Sequence, residues 1–256
     1  PSATYPKNSD VTTFYQQLQD RISAISGVQS AGIINQLPSD AEKSEASFEI
    51  EGRPFVTNSD REDGIADYRI VSPGYFKAMG IPMLRGRTFT DQEGKQAPPA
   101  AIINDKLARR FFPGEDPTTK RIRLTEKSPW LQIVGVVPDI KNQGLFAETT
   151  QEMYFPYVET SFGLPAATRM MTVVVRTNSD PASFVNSIKN ELHAIDRNLP
   201  PYKVQTMEQV LAASLSKTRF TMLLLTFFSL LALVLAAGGV YSVMAYSVAQ
   251  RSREIG

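Results

Sequence analysis

Between Arg219 and Arg251 the chain carries no charged residue. That run of about thirty positions exceeds the roughly twenty that an α-helix needs to cross the hydrocarbon of a bilayer. No other feature restricts the fold so strongly, because a water-facing surface cannot be built from "FTMLLLTFFSLLALVLAAGGV". The residues before it behave differently. They interleave polar and apolar positions and hold nearly all of the 27 basic and 26 acidic side chains, as a domain in water requires. The chain therefore reads as a water-facing domain leading into a membrane span, although its overall 42% hydrophobic content resembles that of an ordinary globular protein.

Several function classes lose their basis at once. There is no cysteine, so disulfides, thiolate metal sites and a cysteine nucleophile are excluded. A formal net charge of +1, with Lys and Arg scattered, gives no field for nucleic acid. The single histidine, His193, follows Leu192 near a helix end with no acid at triad or metal-ligand spacing. "REDG" and "PGED" lack the alternating ligands of a calcium loop and read as turns. No nucleotide-binding glycine motif occurs, so any ATP would bind a separate nucleotide-binding subunit. No catalytic residue, cofactor-binding residue or metal ligand is expected, and the chain is not expected to be an enzyme. Pro1 opens the sequence without a basic segment and an apolar core, so no signal peptide is read there, and both ends are expected to continue in something larger.

Along the water-facing part, Phe14, Leu18, Ile22 and Ile25 fall at helical spacing, with Ser9 or Asp10 as cap and Gly27 as stop. "VQSAGIIN" follows as a strand. "MTVVVRT", the Asp180–Pro181 pair, a stripe of Phe184, Ile188 and Leu192, and then "LPPYKVQT" repeat the pattern as strand, helix and strand. Together these predict a βαβ-type α/β subdomain, with helices on one sheet face and the strand leading into the first helix missing. Between them lie short β-rich runs, "SFEIEG", "DYRIVS", "AAIIN", "RIRL", "LQIVGVV" and "EMYFPY", separated by Pro and Gly turns and interrupted by one short helix, "NDKLARRFF". The expected fold class is α+β, divided into a discontinuous α/β subdomain (1–40 and 166–216), an inserted β-rich subdomain (41–165), a transmembrane helix (217–250) and a terminal charged segment (251–256).

No Gly or Pro interrupts 206–237, so a helix is expected to run without a break from water into lipid, with a hinge around 216–219 as the competing possibility. Within the span, Ala232 and Ala236, Gly238 and Ser242, and Ala245 and Ala249 stand four apart, with Gly239 adjacent. Such small residues let a second helix approach closely, although they are common in membrane helices generally. Arg251, Arg253 and Glu254 follow the span, but Lys217 and Arg219 precede it, so charge alone leaves the orientation open.

"VSPGYFKAMGIPMLRGRTFT", "AIINDKLARRFFPGEDPTTKRIR", "IVGVVPDI" and "EMYFPY", followed by "QTMEQVLAASLSKTRFTMLLL" and "GGVYSVMAYSVAQRSREIG", are similar to segments of the MacB-like permeases of ABC transporters. The resemblance covers essentially the whole chain: a periplasmic core domain and the start of an FtsX-type permease domain, nearest to the acidobacterial type with two such modules per chain. It implies a porter-like half with a β-rich insertion. It implies that residues 1–216 lie outside the cytoplasmic membrane of a bacterium, and that Arg251, Arg253 and Glu254 start a cytoplasmic coupling segment. It implies an ABC ATPase subunit and a second permease copy or module as partners, with room for a periplasmic adaptor protein. The implied function is mechanotransmission, in which ATP-driven motion moves the outer domain to export or release cargo. The alternative is a membrane-anchored extracytoplasmic binding or sensor module.

Overall fold

The computed structural model describes residues 5, 8–38, 44–53, 64–93, 98–141, 148–157 and 170–254. They form two units, residues 1–206 and residues 207–256.

The first unit is built on one mixed sheet. Its strands are β1 (Val28–Ile34), β2 (Glu45–Ser47), β3 (Glu49–Ile50), β4 (Ile65–Val71), β5 (Arg85–Gly86), β6 (Ala100–Asn104), β7 (Arg121–Arg123), β8 (Leu131–Val137), β9 (Glu152–Pro156) and β10 (Thr172–Thr177). The order across the sheet is β10-β1-β4-β9-β6-β8-β7-β3, with β2 added to β4 and β5 to β8. β4 and β9 are parallel, as are β6 and β8, and the other pairs are antiparallel. Helices α1 (Asn8–Ser23), α2 (Tyr75–Met79), α3 (Asp105–Phe111) and α4 (Val185–Ile195) pack against it. The α+β class read from the sequence is the class observed.

Period-two alternation divides the sheet residues into two faces. On one, Ala66, Ile70, Ile103, Met153, Phe155 and Tyr157 share a core with Leu107 and Ala108 of α3. Ala31 on the same face meets Phe14, Leu18 and Ile22 of α1 and Leu192 of α4. On the other, Ile34, Val71, Ile102, Tyr154 and Val174 enclose Tyr75 and Phe76 of α2. Helices thus cover both faces, not one as expected. The short helix α2 was hidden in the sequence because its five residues are too few to display a helical period.

α2 is seated by backbone contact. A Cβ on Gly32 would lie 2.4 Å from the Tyr75 Cα, and one on Gly74 would lie 2.1 Å from the Ala31 carbonyl oxygen. Only glycine permits this approach of turn to strand. The seam between β1 and β4 contains one register pair, Ile34 with Val71. Side chains extend it on both sides. The Ile33 N–H donates to Ser72 Oγ at 2.9 Å while the Ser72 N–H donates to the Ile33 carbonyl, and the Ile70 N–H donates to Asn35 Oδ1 at 3.0 Å while the Asn35 N–H donates to the Ile70 carbonyl.

Two local expectations change. α1 starts at Asn8, so Ser9 and Asp10 lie inside its first turn, not ahead of it. "LPPYKVQT" forms no strand: 199–206 is irregular, Lys203 has φ of 58°, and no described strand lies beside it to supply a ladder.

The second unit is α5, a single helix from Met207 to Glu254 with no break at 216–219 or at Gly238 and Gly239. Its 48 residues correspond to about 72 Å of rise.

Candidate functional site

Two arrangements deserve consideration as sites, one in each unit. In α5 the apolar stretch long enough to cross a membrane is Met222–Ser242, 21 residues, none of it buried within the chain. Its rise of about 32 Å matches a hydrocarbon layer of about 30 Å. The helix continues about 22 Å before this stretch and about 18 Å after it.

Thr226 and Ser242, two of the hydroxyl residues in this stretch, are satisfied within the helix. Thr226 Oγ1 donates to the Met222 carbonyl at 2.8 Å and Ser242 Oγ to the Gly238 carbonyl at 2.9 Å. At about 100° per residue, Thr226, Ser229, Ala232, Ala236 and Gly239 gather on one side within an arc of about 140°. Gly238 and Ser242 fall on the opposite side, among Leu231, Leu235 and Phe227. The five small residues named from the sequence therefore do not share one face. A Cβ added at Gly238 or Gly239 meets nothing within 4 Å, so no contact inside the described chain requires either glycine. Arg251, Arg253 and Glu254 belong to the last helical turn, and their side chains lie outside the described residues.

The second arrangement is a buried polar cluster on the α2 face of the sheet. β4 and β9 run parallel with Asp67 opposite Glu152 and Arg69 opposite Tyr154. Asp67, Arg69, Glu152 and Asn104 are 4%, 3%, 0% and 0% exposed. Burying charge costs several kcal/mol per ion unless each is paired, and the local bonding is extensive. Thr150 Oγ1 donates to Asp67 Oδ2 at 2.6 Å, Arg69 donates to Gln36 Oε1 at 3.0 Å, and the Tyr154 hydroxyl donates to Glu152 Oε2 at 2.5 Å. Asn104 is used three times: Oδ1 accepts from the Leu107 N–H, capping α3, and from the Glu152 N–H, while Nδ2 donates to the Thr150 carbonyl. Burial, then the negative charge of Glu152, holds the Tyr154 hydroxyl far above the usual tyrosine range, and the same two causes raise Tyr75. Both hydroxyls stay protonated at any physiological pH.

Chemically this cluster has the parts of a brace. The Tyr154 hydroxyl is held as a donor to Glu152, and Arg69, two residues along β4 from Asp67, donates to Gln36 and to the Tyr68 carbonyl. A second group ties the "INDK" and "VPDI" segments together: the Lys106 N–H donates to Asp139 Oδ1 at 2.7 Å, and Arg109 bridges Asp105 and Asp139. Among the described residues no group of three or more His, Cys, Asp or Glu side chains could hold a metal ion. His193 is exposed in the last turn of α4. The sequence reading missed the cluster because "DYRIVS" alternates as a strand with a wet face would. The available signal was that Asp67 and Arg69 fall in phase with Val71, so a charged pair and an apolar residue share one face.

The model for the MacB-like periplasmic core domain matches residues 7–191. The "Probable syringafactin export ATP-binding/permease protein SyfD" of Pseudomonas syringae pv. tomato is 28% identical over 210 residues, covering 81% of this chain and 31% of that one. The "Macrolide export ATP-binding/permease protein MacB" of Mannheimia succiniciproducens is 26% identical, covering 71% of this chain and 28% of that one. The ABC transporter permease YknZ of Bacillus subtilis is 24% identical, covering 99% and 59%. The chain thus spans between just over a quarter and about three-fifths of the length of these relatives. Among solved structures, the periplasmic region of MacB from Actinobacillus actinomycetemcomitans superposes with a TM-score of 0.48 at 16% identity, covering 70% of this chain and 73% of that one. With the family match extending through well over half of its length, this chain belongs to the MacB-like periplasmic core domain family of ABC transporter permeases.

Proposed function

We propose that this chain is the extracytoplasmic domain and adjoining membrane span of an ABC exporter permease, and that it passes ATP-driven motion from the cytoplasmic side of the inner membrane to the outer domain. The observation that carries this reading is α5. One helix runs from Met207 through the apolar Met222–Ser242 stretch to Glu254 without a break, directly after a MacB-like domain. A helix without proline or a bulge resists bending over this length, so displacement at one end reaches the other.

On this reading residues 1–216 stand in the periplasm, 217–250 span the membrane, and 251–256, with Arg251, Arg253 and Glu254, begin the segment that meets an ABC ATPase subunit. ATP binds that subunit and not this chain. The division of residues 1–216 into a porter-like part (1–40 and 166–216) and a β-rich insertion (41–165) is a division of labour between a part continuous with the helix and a part presented to cargo or to a periplasmic adaptor. The Ala232, Ala236 and Gly239 side of the span takes another permease helix, and Gly238 with Ser242 offers a second close approach to a further helix or module.

The test is to express the full-length parent permease in bacterial membranes and isolate it under mild detergent. Copurification of an ABC ATPase, with ATP hydrolysis that responds to substitution in 251–254, is the expected result. A permease that recruits no ATPase and instead continues into a cytoplasmic signalling domain would turn the assignment to a tethered sensor.

A further inference from the structure

β2 pairs with β4 and β3 with β7, and only Phe48 separates β2 from β3. This one segment therefore closes β4, β9, β6, β8 and β7 into a barrel. Phe48 and Ile50 enter its core beside Ile103, Leu131 and Phe155. A closed and filled barrel has no free edge and little room to deform. β1 and β10, packed on α1 and α4, form a second body outside it. The two bodies meet at the β1–β4 seam. A regular antiparallel ladder would exchange two backbone bonds between Ile33 and Ser72 and two between Asn35 and Ile70. Here each pair keeps one, and the other N–H donates to Ser72 Oγ or to Asn35 Oδ1. The backbones thus part on either side of the Ile34–Val71 pair, which is left as a crossing point.

Two groups span this joint, one on each face of the sheet. On the first face Tyr75 and Phe76 of α2, 1% and 2% exposed, share a core with Ile34 and Val174 from one body and with Ile102 and Tyr154 from the other. Phe76 meets Tyr154 edge-on at 5.2 Å, while Arg176 Nε of β10 donates to the Ala78 carbonyl at 2.8 Å. On the opposite face Tyr15 of α1 packs against the cores of both bodies. It meets Tyr157 of the barrel edge-on at 5.8 Å, and its hydroxyl accepts from the Met171 N–H, at the entry to β10, at 3.2 Å. A clasp on one face alone would leave the joint free to open toward the other. We propose that the Ile34–Val71 crossing is a pivot locked by α2 on one face and by Tyr15 on the other, so that barrel and β1–β10 body move as one until these clasps loosen. The lock follows from the fold and does not depend on the transport reading. On that reading, a displacement received by one body reaches the other undiminished only while both clasps hold.

Because the 256 residues contain no cysteine, paired spin labels test this on the 256-residue chain in detergent. Asn190→Cys on α4 with Lys127→Cys between β7 and β8, both exposed, reports the joint. Ser47→Cys with Lys127→Cys is the control within the barrel. With the native clasps, the joint pair is expected to give a single distance distribution as narrow as the control. Tyr15→Ala combined with Arg176→Ala is expected to widen it at least about twofold, with the control distribution and the slow amide exchange of 131–137 unchanged. A distribution wider than the control before any clasp is altered overturns the proposal, because the joint is then not locked. An unchanged width in the double variant overturns it too. So does loss of protection at 131–137 in that variant, since barrel and β1–β10 body would then not be separate bodies.

Discussion

Arg69 is a charged residue buried inside the first unit. It is 3% exposed and shares the α2 face with Asp67 and Glu152. Arg69→Ala would remove a charged donor from Gln36 Oε1 and the Tyr68 carbonyl in a buried site, at a cost of about 1.5–3 kcal/mol. Urea denaturation should show this, while Arg69→Lys restores only part because Lys cannot reproduce the guanidinium geometry. Ser72→Ala should cost about 1–3 kcal/mol in the same measurement, since the Ile33 N–H would be buried without a partner. Glu93 carries a pH dependence. Its burial favours the protonated form, but hydrogen bonds from Thr90 and Arg87 prevail and hold its carboxyl below the usual range. A folded value below the unfolded one of about 4.3 gives stability that is full above that pH and is lost as pH falls through the lower folded value. Glu93→Gln should therefore flatten the acid limb of a stability-against-pH curve without altering its neutral plateau slope. None of these three roles was visible in the sequence, where each residue is a polar letter in a strand or turn. Burial of a charge depends on which strands become neighbours, and β4 meets β9 across some eighty residues of chain.

The strands were legible and their partners were not. Every β-rich run named from the sequence, from "SFEIEG" to "EMYFPY", contains an observed strand, because alternating or continuous apolar residues bounded by Pro and Gly depend on local chemistry alone. The observed cap of α3 is local in the same way, since Asn104 Oδ1 accepts from the Leu107 N–H within one turn. "LPPYKVQT" failed for the opposite reason: a strand exists only with a neighbour. α2 was missed because a five-residue helix is fixed by its seat, not by its period. Filling that seat tests it. Gly32→Ala drives a methyl into the Tyr75 backbone and should lower the melting temperature by more than Gly52→Ala, whose Cβ meets nothing although its φ of 77° is itself unfavourable. In α5, Gly239→Ala should raise the helicity of the isolated helix by about 0.5–1 kcal/mol. The bulkier Gly239→Leu should reduce assembly of the complete permease, read as the yield of copurified ATPase, where Leu230→Ala on the opposite side does not.

For the whole molecule, the absence of native cysteine makes orientation directly measurable. Gln17→Cys, on the exposed side of α1, should react with a membrane-impermeant maleimide in spheroplasts, and Arg253→Cys only after the membrane is opened. The reverse pattern would place the domain inside the cell and remove the transport proposal. The unbroken length of α5 has a further mechanical meaning. A rod of about 72 Å works as a lever: tilting it by about 10° around one end sweeps the other through about 12 Å. On the transport proposal, rocking too slight to see at a nucleotide site would thus arrive at the far end of the helix as a stroke as wide as a side-chain-clad helix.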